Sequence, residues 1–215
     1  MKKAIVLAGS RGIGRAIATE LKQISYEVVA TSKEELDTSD MSQIRKFAEK
    51  HPQTDILCLN TGGPPAKPFE EITPEDLEKY HTQLFSGLFY LLQKITVRDG
   101  GYIFLISSYT IKEPDENLIL SNSYRIALSS VLKSISKTLA QREVSCINIA
   151  PGPIKTDRLH SLVKDMDQFE KTLPMKRAGA PEEIGRFVRA IVENNIKYLT
   201  GVTINFDGGN SHYVL

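Results

Sequence analysis

The stretch Ala8-Gly9-Ser10-Arg11-Gly12-Ile13-Gly14 constrains this chain more than any other. It follows an apolar run of strand length, Ala4-Ile5-Val6-Leu7, and opens a helical pattern, Arg15-Ala16-Ile17-Ala18-Thr19-Glu20-Leu21. A strand, a tight glycine turn and a helix in that order make the geometry that seats a pyrophosphate. Glycine permits the turn and lets backbone approach the phosphates, and the first N–H groups of the helix face the negative charge. The spacing is Gly-x-x-Gly-x-Gly rather than Gly-x-Gly-x-x-Gly, and glycine-rich turns also serve packing alone. The flanking strand and helix favour the nucleotide reading.

Further stretches follow in order: Asn60-Thr61-Gly62-Gly63, Ile106-Ser107-Ser108, Pro151-Gly152-Pro153-Ile154-Lys155-Thr156 and Asp207-Gly208-Gly209. Together with the glycine turn they resemble the motifs of the short-chain dehydrogenase/reductase family, across essentially the whole chain. The resemblance implies an α/β Rossmann fold, a doubly wound parallel sheet of about seven strands with helices on both faces. It also implies one dinucleotide-binding domain over residues 1–215.

The composition agrees. A chain of 215 residues can bury one large core, and a net charge of +1 leaves no basic excess for nucleic acid. No apolar run reaches the roughly 18 residues of a membrane span. Met1-Lys2-Lys3 leads directly into the first strand, which predicts a cytoplasmic protein without a leader. Cys58 and Cys146 both read as buried strand residues. The family's sheet order puts another strand between them, about 10 Å apart, beyond the about 7 Å a disulfide tolerates. Two free thiols are expected, and nothing in the sequence groups metal ligands.

The first helix carries Ile13, Ala16, Ile17, Leu21 and Ile24 at helical spacing and is expected to reach Ser25. The second strand, Tyr26 to Thr31, ends where such folds read the adenosine ribose. That position holds Ser32 and Lys33, so the sequence predicts no carboxylate to repel a 2′-phosphate. Lys33 and Arg11 are either solvated surface charges or phosphate ligands. Their coincidence favours NADP(H), with NAD(H) as the alternative.

Only Glu34-Glu35-Leu36-Asp37-Thr38-Ser39 separates Lys33 from Asp40, where most of the family places a helix and a strand. The contraction resembles the Leu-Asp-x-x-Asp segment of dehydrorhamnose reductases, which implies a short third strand at Leu36-Asp37 and Asp37 beside the adenine amino group. Asp40 caps a helix over Met41 to Lys50. Asn60-Thr61-Gly62-Gly63-Pro64-Pro65 departs from the family's Asn-Asn-Ala-Gly and resembles a divergent reductase branch. Thr73-Pro74-Glu75-Asp76 begins a long helix running through Leu77, Tyr80, Leu84, Leu88, Leu91 and Ile95. Packing on the sheet explains that stripe, and by resemblance it also serves a homodimer or homotetramer. A strand over Gly101 to Ser107, a helix from Asn122 to Arg142 and a strand over Val144 to Ile149 follow. Pro151, Gly152, Ile154 and Thr156 match the family turn at the nicotinamide end of the cofactor, and residues 157–180 match its substrate lid. A last strand covers Val202 to Phe206.

Carbonyl reduction leaves a developing alkoxide that needs hydrogen-bond donors and a proton. The family uses Ser, Tyr, Lys and Asn. Ser108 matches the serine, but the tyrosine position falls on Ser121 and the lysine position, one turn on, on Arg125. The asparagine position falls on Gln83. A serine hydroxyl is far less acidic than a tyrosine, and arginine stays protonated. Arg125 is expected to hold the nicotinamide ribose. Tyr109 and Tyr124 are the expected proton donors in place of Ser121, or packing residues with wet hydroxyls. Three readings follow: an NADP(H)-dependent oxidoreductase acting on a small carbonyl or alcohol, similar to 3-oxoacyl carrier-protein reductases; a nucleotide-binding regulator or scaffold that has lost hydride chemistry; or a lyase or isomerase in the same cleft. Ser108 and the intact Pro151 turn favour the first.

Overall fold

Six apolar runs pair into one parallel sheet in a computed structural model that describes residues 1–214. The strands are β1 (Lys3–Val6), β2 (Glu27–Ala30), β3 (Gln53–Leu59), β4 (Thr96–Ile106), β5 (Ser145–Pro151) and β6 (Val202–Phe206), in spatial order β2-β1-β3-β4-β5-β6. The chain moves outward from β1 to β2, then returns to the other side of β1 for β3. That reversal opens a crevice at the carboxyl ends of β1 and β3, where open α/β sheets bind ligands.

Side chains alternate along each strand, so both faces of the sheet are apolar and both are covered. Ile5, Leu57, Leu59, Ile103 and Leu105 face one core, against Ile44 and Phe47 of α2 (Met41–Lys50), Leu88 and Leu91 of α4 (Gly87–Lys94), and Leu128 and Leu132 of α5 (Ile119–Ala140). Ala4, Val6, Ile56, Cys58 and Phe104 face the other, against Ile17 and Leu21 of α1 (Gly12–Gln23) and Ile184 and Val188 of α8 (Pro181–Glu193). Cys58 and Cys146 are buried free thiols with β4 between their strands.

The caps act as their residue types dictate. Asp40 accepts the N–H groups of Ser42 and Gln43 at 2.8 and 3.3 Å. Thr73 and Asp76 form a reciprocal capping box ahead of α3 (Pro74–His81). The long helix is not uniform: a π-helical segment, Thr82–Ser86, separates α3 from α4. The helix expected from Asn122 begins at Ile119, which puts Ser121 in its first turn.

The sheet has six strands rather than seven, because Leu36-Asp37 forms no strand. Asp37 accepts the N–H and hydroxyl of Ser39 at 2.9 and 2.6 Å, which bends the chain into a turn. Another parallel strand would need its own crossover of a dozen residues or so, and only the stretch 31–40 joins β2 to α2. Leu36 instead plugs the core below α2. Residues 157–180 contain α6 (Asp157–Leu162) and α7 (Met166–Thr172), joined by a small cluster of Leu159, Leu173 and Ala178. Among the described residues no helix is long and apolar enough to cross a membrane.

A Cβ placed on Gly14 would lie 2.2 Å from the carbonyl oxygen of Ala8 and 2.8 Å from Nδ2 of Asn60. Gly14→Ala must therefore open the turn. We expect a loss of about 1–3 kcal/mol, the usual cost of forcing atoms into a packed site. A urea-unfolding midpoint unchanged from the wild type would contradict this.

Candidate active site

The glycine turn brings three chain segments into contact. Gly9 sits against β2, since a Cβ there would fall 2.7 Å from that of Ala30. Gly12 has φ +52°, in the left-handed region that favours glycine, and its missing Cβ would meet Cγ2 of Thr156 at 3.2 Å. The glycine turn and the Pro151 turn are thus neighbours. Arg11 and Asp157 lie 3.6 Å apart across the same junction. No side chain caps α1 and no acid stands in its first turn, and Ser10 and Arg11 are exposed. A tight backbone cradle with an uncapped helix start fits a pyrophosphate.

The ribose edge is more mixed than the sequence predicts. Lys33 pairs with Asp37 at 3.6 Å. The Ser32 N–H donates to Glu35 Oε2 at 2.8 Å, and the Glu35 N–H returns to Ser32 Oγ at 3.3 Å. A backbone hydrogen bond and Ser32, then the charges of Arg11 and Lys33, hold the Glu34 carboxyl below its ordinary value. Carboxylates therefore do stand at this edge, because the shortened segment turns back on Ser32. The side chains of Lys33 and Arg11 are 76% and 77% exposed, so their ion pairs are weak and either cation can turn to a phosphate.

The loop after β3 is held by side chains from three helical segments. Gln83 Nε2 donates to the carbonyl of Gly62 at 3.0 Å. Arg125 donates to the carbonyl of Thr61 at 3.2 Å, to that of Ile106 at 2.8 Å and to Ser121 Oγ at 3.2 Å. Arg158, on α6, donates to the carbonyl of Pro64 and packs against Gly63. Thr61 Oγ1 also shares a hydrogen bond with Thr38 Oγ1 at 2.8 Å. Thr61, Gly62, Gln83, Ser121 and Arg125 thus converge on one place. Arg158 was missed, because an arginine in a polar stretch reads as a solvated charge. Burial pushes the Arg125 guanidinium down to about 10, and the nearby charge of Arg158 adds to the shift. Burial likewise lowers Arg158. Arg125 remains a cation at neutral pH.

Ser108 Oγ accepts the N–H of Thr110 at 3.2 Å and its hydroxyl at 2.8 Å. The Tyr124 hydroxyl is engaged away from Arg125. Tyr124 donates to the carbonyl of Leu77 at 3.3 Å and sets its ring edge-on to His81. Burial, then the charges of Asp115 and Glu113, raise the Tyr109 hydroxyl above its ordinary value. Burial also raises Tyr124. In the Pro151 turn, Gly152 N–H donates to Phe206 at 3.0 Å, Ile154 bridges to Gly179, and Thr156 caps α6.

The sequence profile of the family described as Enoyl-(Acyl carrier protein) reductase matches residues 35–211. The chain belongs to the short-chain dehydrogenase/reductase family. It is 27% identical to 3-oxoacyl-[acyl-carrier-protein] reductase FabG of Staphylococcus epidermidis, over 97% of this chain and 98% of that protein. It is 25% identical to the NADPH-dependent reductase BacG of Bacillus subtilis, over 97% of both. A blue fluorescent protein from a metagenomic library, solved in complex with NADPH, shares the fold with a TM-score of 0.88 at 24% identity, over 98% of each chain.

Arg125 ties α5 to the ends of β3 and β4, so its loss strands the carbonyls of Ile106 and Thr61. We expect Arg125→Met to cost about 2–4 kcal/mol, because each buried unsatisfied group costs about 1–3 kcal/mol. Urea unfolding checks this: a loss under half a kilocalorie would show the hub to be ornamental.

Proposed function

We propose that this chain is an NADP(H)-dependent short-chain reductase that converts a small carbonyl compound to an alcohol and uses Arg125 with Ser121 in place of the family's tyrosine and lysine. The observation that carries this is the Arg125 hydrogen bond to Ser121 Oγ. It leaves the Ser121 hydroxyl proton free to point at a substrate oxygen, and a buried cation stands behind it. The cofactor assignment is supported by the cradle at Gly9, Gly12 and Gly14, by Lys33 and Arg11 at the ribose edge, and by the NADPH-dependent relative from Bacillus subtilis. A 3-oxoacyl thioester or a small ketone is the carbonyl class that the carrier-protein reductase relative favours. No structural observation favours the regulator reading.

When bound, the reduced nicotinamide supplies a hydride to the carbonyl carbon, and the carbonyl π pair moves onto oxygen. The chain's own residues deal with that oxygen. Ser121 donates to it, and Arg125 lowers the cost of the charge through a preorganised positive field. The proton reaches the alkoxide through the Ser121 hydroxyl and is replaced from solvent. Ser108 orients the carbonyl from the end of β4. Asn60, Thr61 and Gly62 shape the cofactor wall, and Gln83 and Arg125 hold that wall through its carbonyls.

Two outcomes test this. Removing one donor to a developing oxyanion typically costs about 10²–10³-fold in turnover, so Ser121→Ala should lose about that factor while Tyr124→Phe and Tyr109→Phe stay near wild type. NADPH absorbance decay with an accepted ketone reads it. If Tyr109→Phe abolishes turnover and Ser121→Ala does not, Tyr109 is the donor.

The second concerns the ribose edge. A charge-assisted contact contributes about 1.5–3 kcal/mol, so Lys33→Ala should weaken NADPH by about tenfold or more and NADH little. Calorimetric titration of both cofactors measures it, and equal wild-type affinity for the two would overturn the NADP(H) assignment.

A further inference from the structure

Two arginines in this cleft have no acid. Arg98, Arg142, Arg177 and Arg189 each pair with a carboxylate, as does exposed Arg11. Arg15, Arg45 and Arg186 stand exposed in solvent. Arg125 and Arg158 are neither: both are partly buried, and among the described residues no carboxylate lies within ion-pair distance of either. They grip one loop, at Thr61 and at Pro64, so two like charges are held near each other. Withdrawing cations from water is costly unless something pairs with them. Here the protein supplies only carbonyls and the Ser121 hydroxyl.

We infer that the substrate carries a carboxylate, held by the Arg158 guanidinium beside Arg125 over the carboxyl ends of β3 and β4. This rests on the reductase reading and names its substrate class. The place is right for a substrate rather than for the cofactor's pyrophosphate. Pyrophosphate belongs at the start of α1, whereas Arg125 anchors on Thr61 and Ile106, on the far side of the strand reversal. The donors are also right. A guanidinium has five N–H groups in a fixed fork. Arg125 spends three on Thr61, Ile106 and Ser121, while Arg158 spends one on Pro64. Arg158 therefore keeps a free fork for a bidentate carboxylate, and Arg125 stays with the carbonyl oxygen. Because Arg158 lies on α6, a bound carboxylate would join that segment to the β3 loop.

The test compares short oxo acids with their methyl esters, varying the spacing between carbonyl and carboxylate, with NADPH oxidation as readout. The best acid should exceed its ester in kcat/KM by about 100-fold, the scale of a paired charge-assisted fork. Arg158→Gln should collapse that ratio toward one, and Arg158→Lys should restore part of it. In parallel, oxamate is titrated calorimetrically into NADP⁺-loaded protein, with thermal unfolding confirming that each variant is folded. Binding that Arg158→Gln weakens at least tenfold and Arg158→Lys partly recovers supports the inference. Acids and esters reduced alike by the wild type, or oxamate bound equally by wild type and Arg158→Gln, overturns it. If no ketone is reduced, the reductase reading fails and the oxamate titration alone decides: binding lost in Arg158→Gln sustains the carboxylate site, and no binding to wild type removes it.

Discussion

One guanidinium closes the carboxyl edge of the sheet. Arg125 reaches from α5 to the last carbonyl of β4, to the Thr61 carbonyl in the loop after β3 and to the hydroxyl of Ser121. Parallel strands end in carbonyls that have no further ladder partner, and a buried carbonyl without a donor is costly. A forked cation with rigid spacing can serve several of them at once, which a flexible ammonium cannot do with the same geometry. The arrangement of Thr61, Ile106 and Ser121 around a common point follows from that spacing. The same act leaves a positive charge with no carboxylate partner among the described residues at the carboxyl end of the sheet.

The other half of the cleft depends on close backbone approach. Gly14 lets Ala8 and Asn60 crowd the start of α1, and Gly12 lets Thr156 reach the turn from β5. These contacts bring residues far apart in sequence to one wall. Shortening the segment between β2 and α2 has its own consequence. It removes an edge strand, sends Leu36 into the core and folds Glu34 and Glu35 back beside Ser32. The edge beyond the end of β2 is therefore built from a tight turn holding both signs of charge, not from the end of a plain strand.

Much of this was legible in advance. Apolar runs of strand length, glycine at the turn and the Asp40 and Thr73 caps are local signals, because each depends on neighbours within a few residues. The family was legible through motif order, which is a property of the chain alone. The number of strands was not, since the short strand at Leu36-Asp37 rested on a resemblance, and the hydrogen bonds of Asp37 to Ser39 make that segment a turn. The π-helical segment at Thr82–Ser86 likewise leaves no trace in an apolar stripe that reads as one helix.

The sequence by itself determined that a doubly wound parallel sheet would form and that a glycine turn would open its crevice. It determined these because strand, turn and helix preferences act over short spans and motif spacing is read along the chain. Only the tertiary structure decided where each polar hydrogen would go. It gave the Tyr124 hydroxyl to the carbonyl of Leu77, set Ser121 under Arg125, and brought Arg158 near them with no carboxylate within ion-pair distance among the described residues. Hydrogen-bond partners and charge balance are sums over groups distant in sequence, so they exist only once the chain has closed on itself.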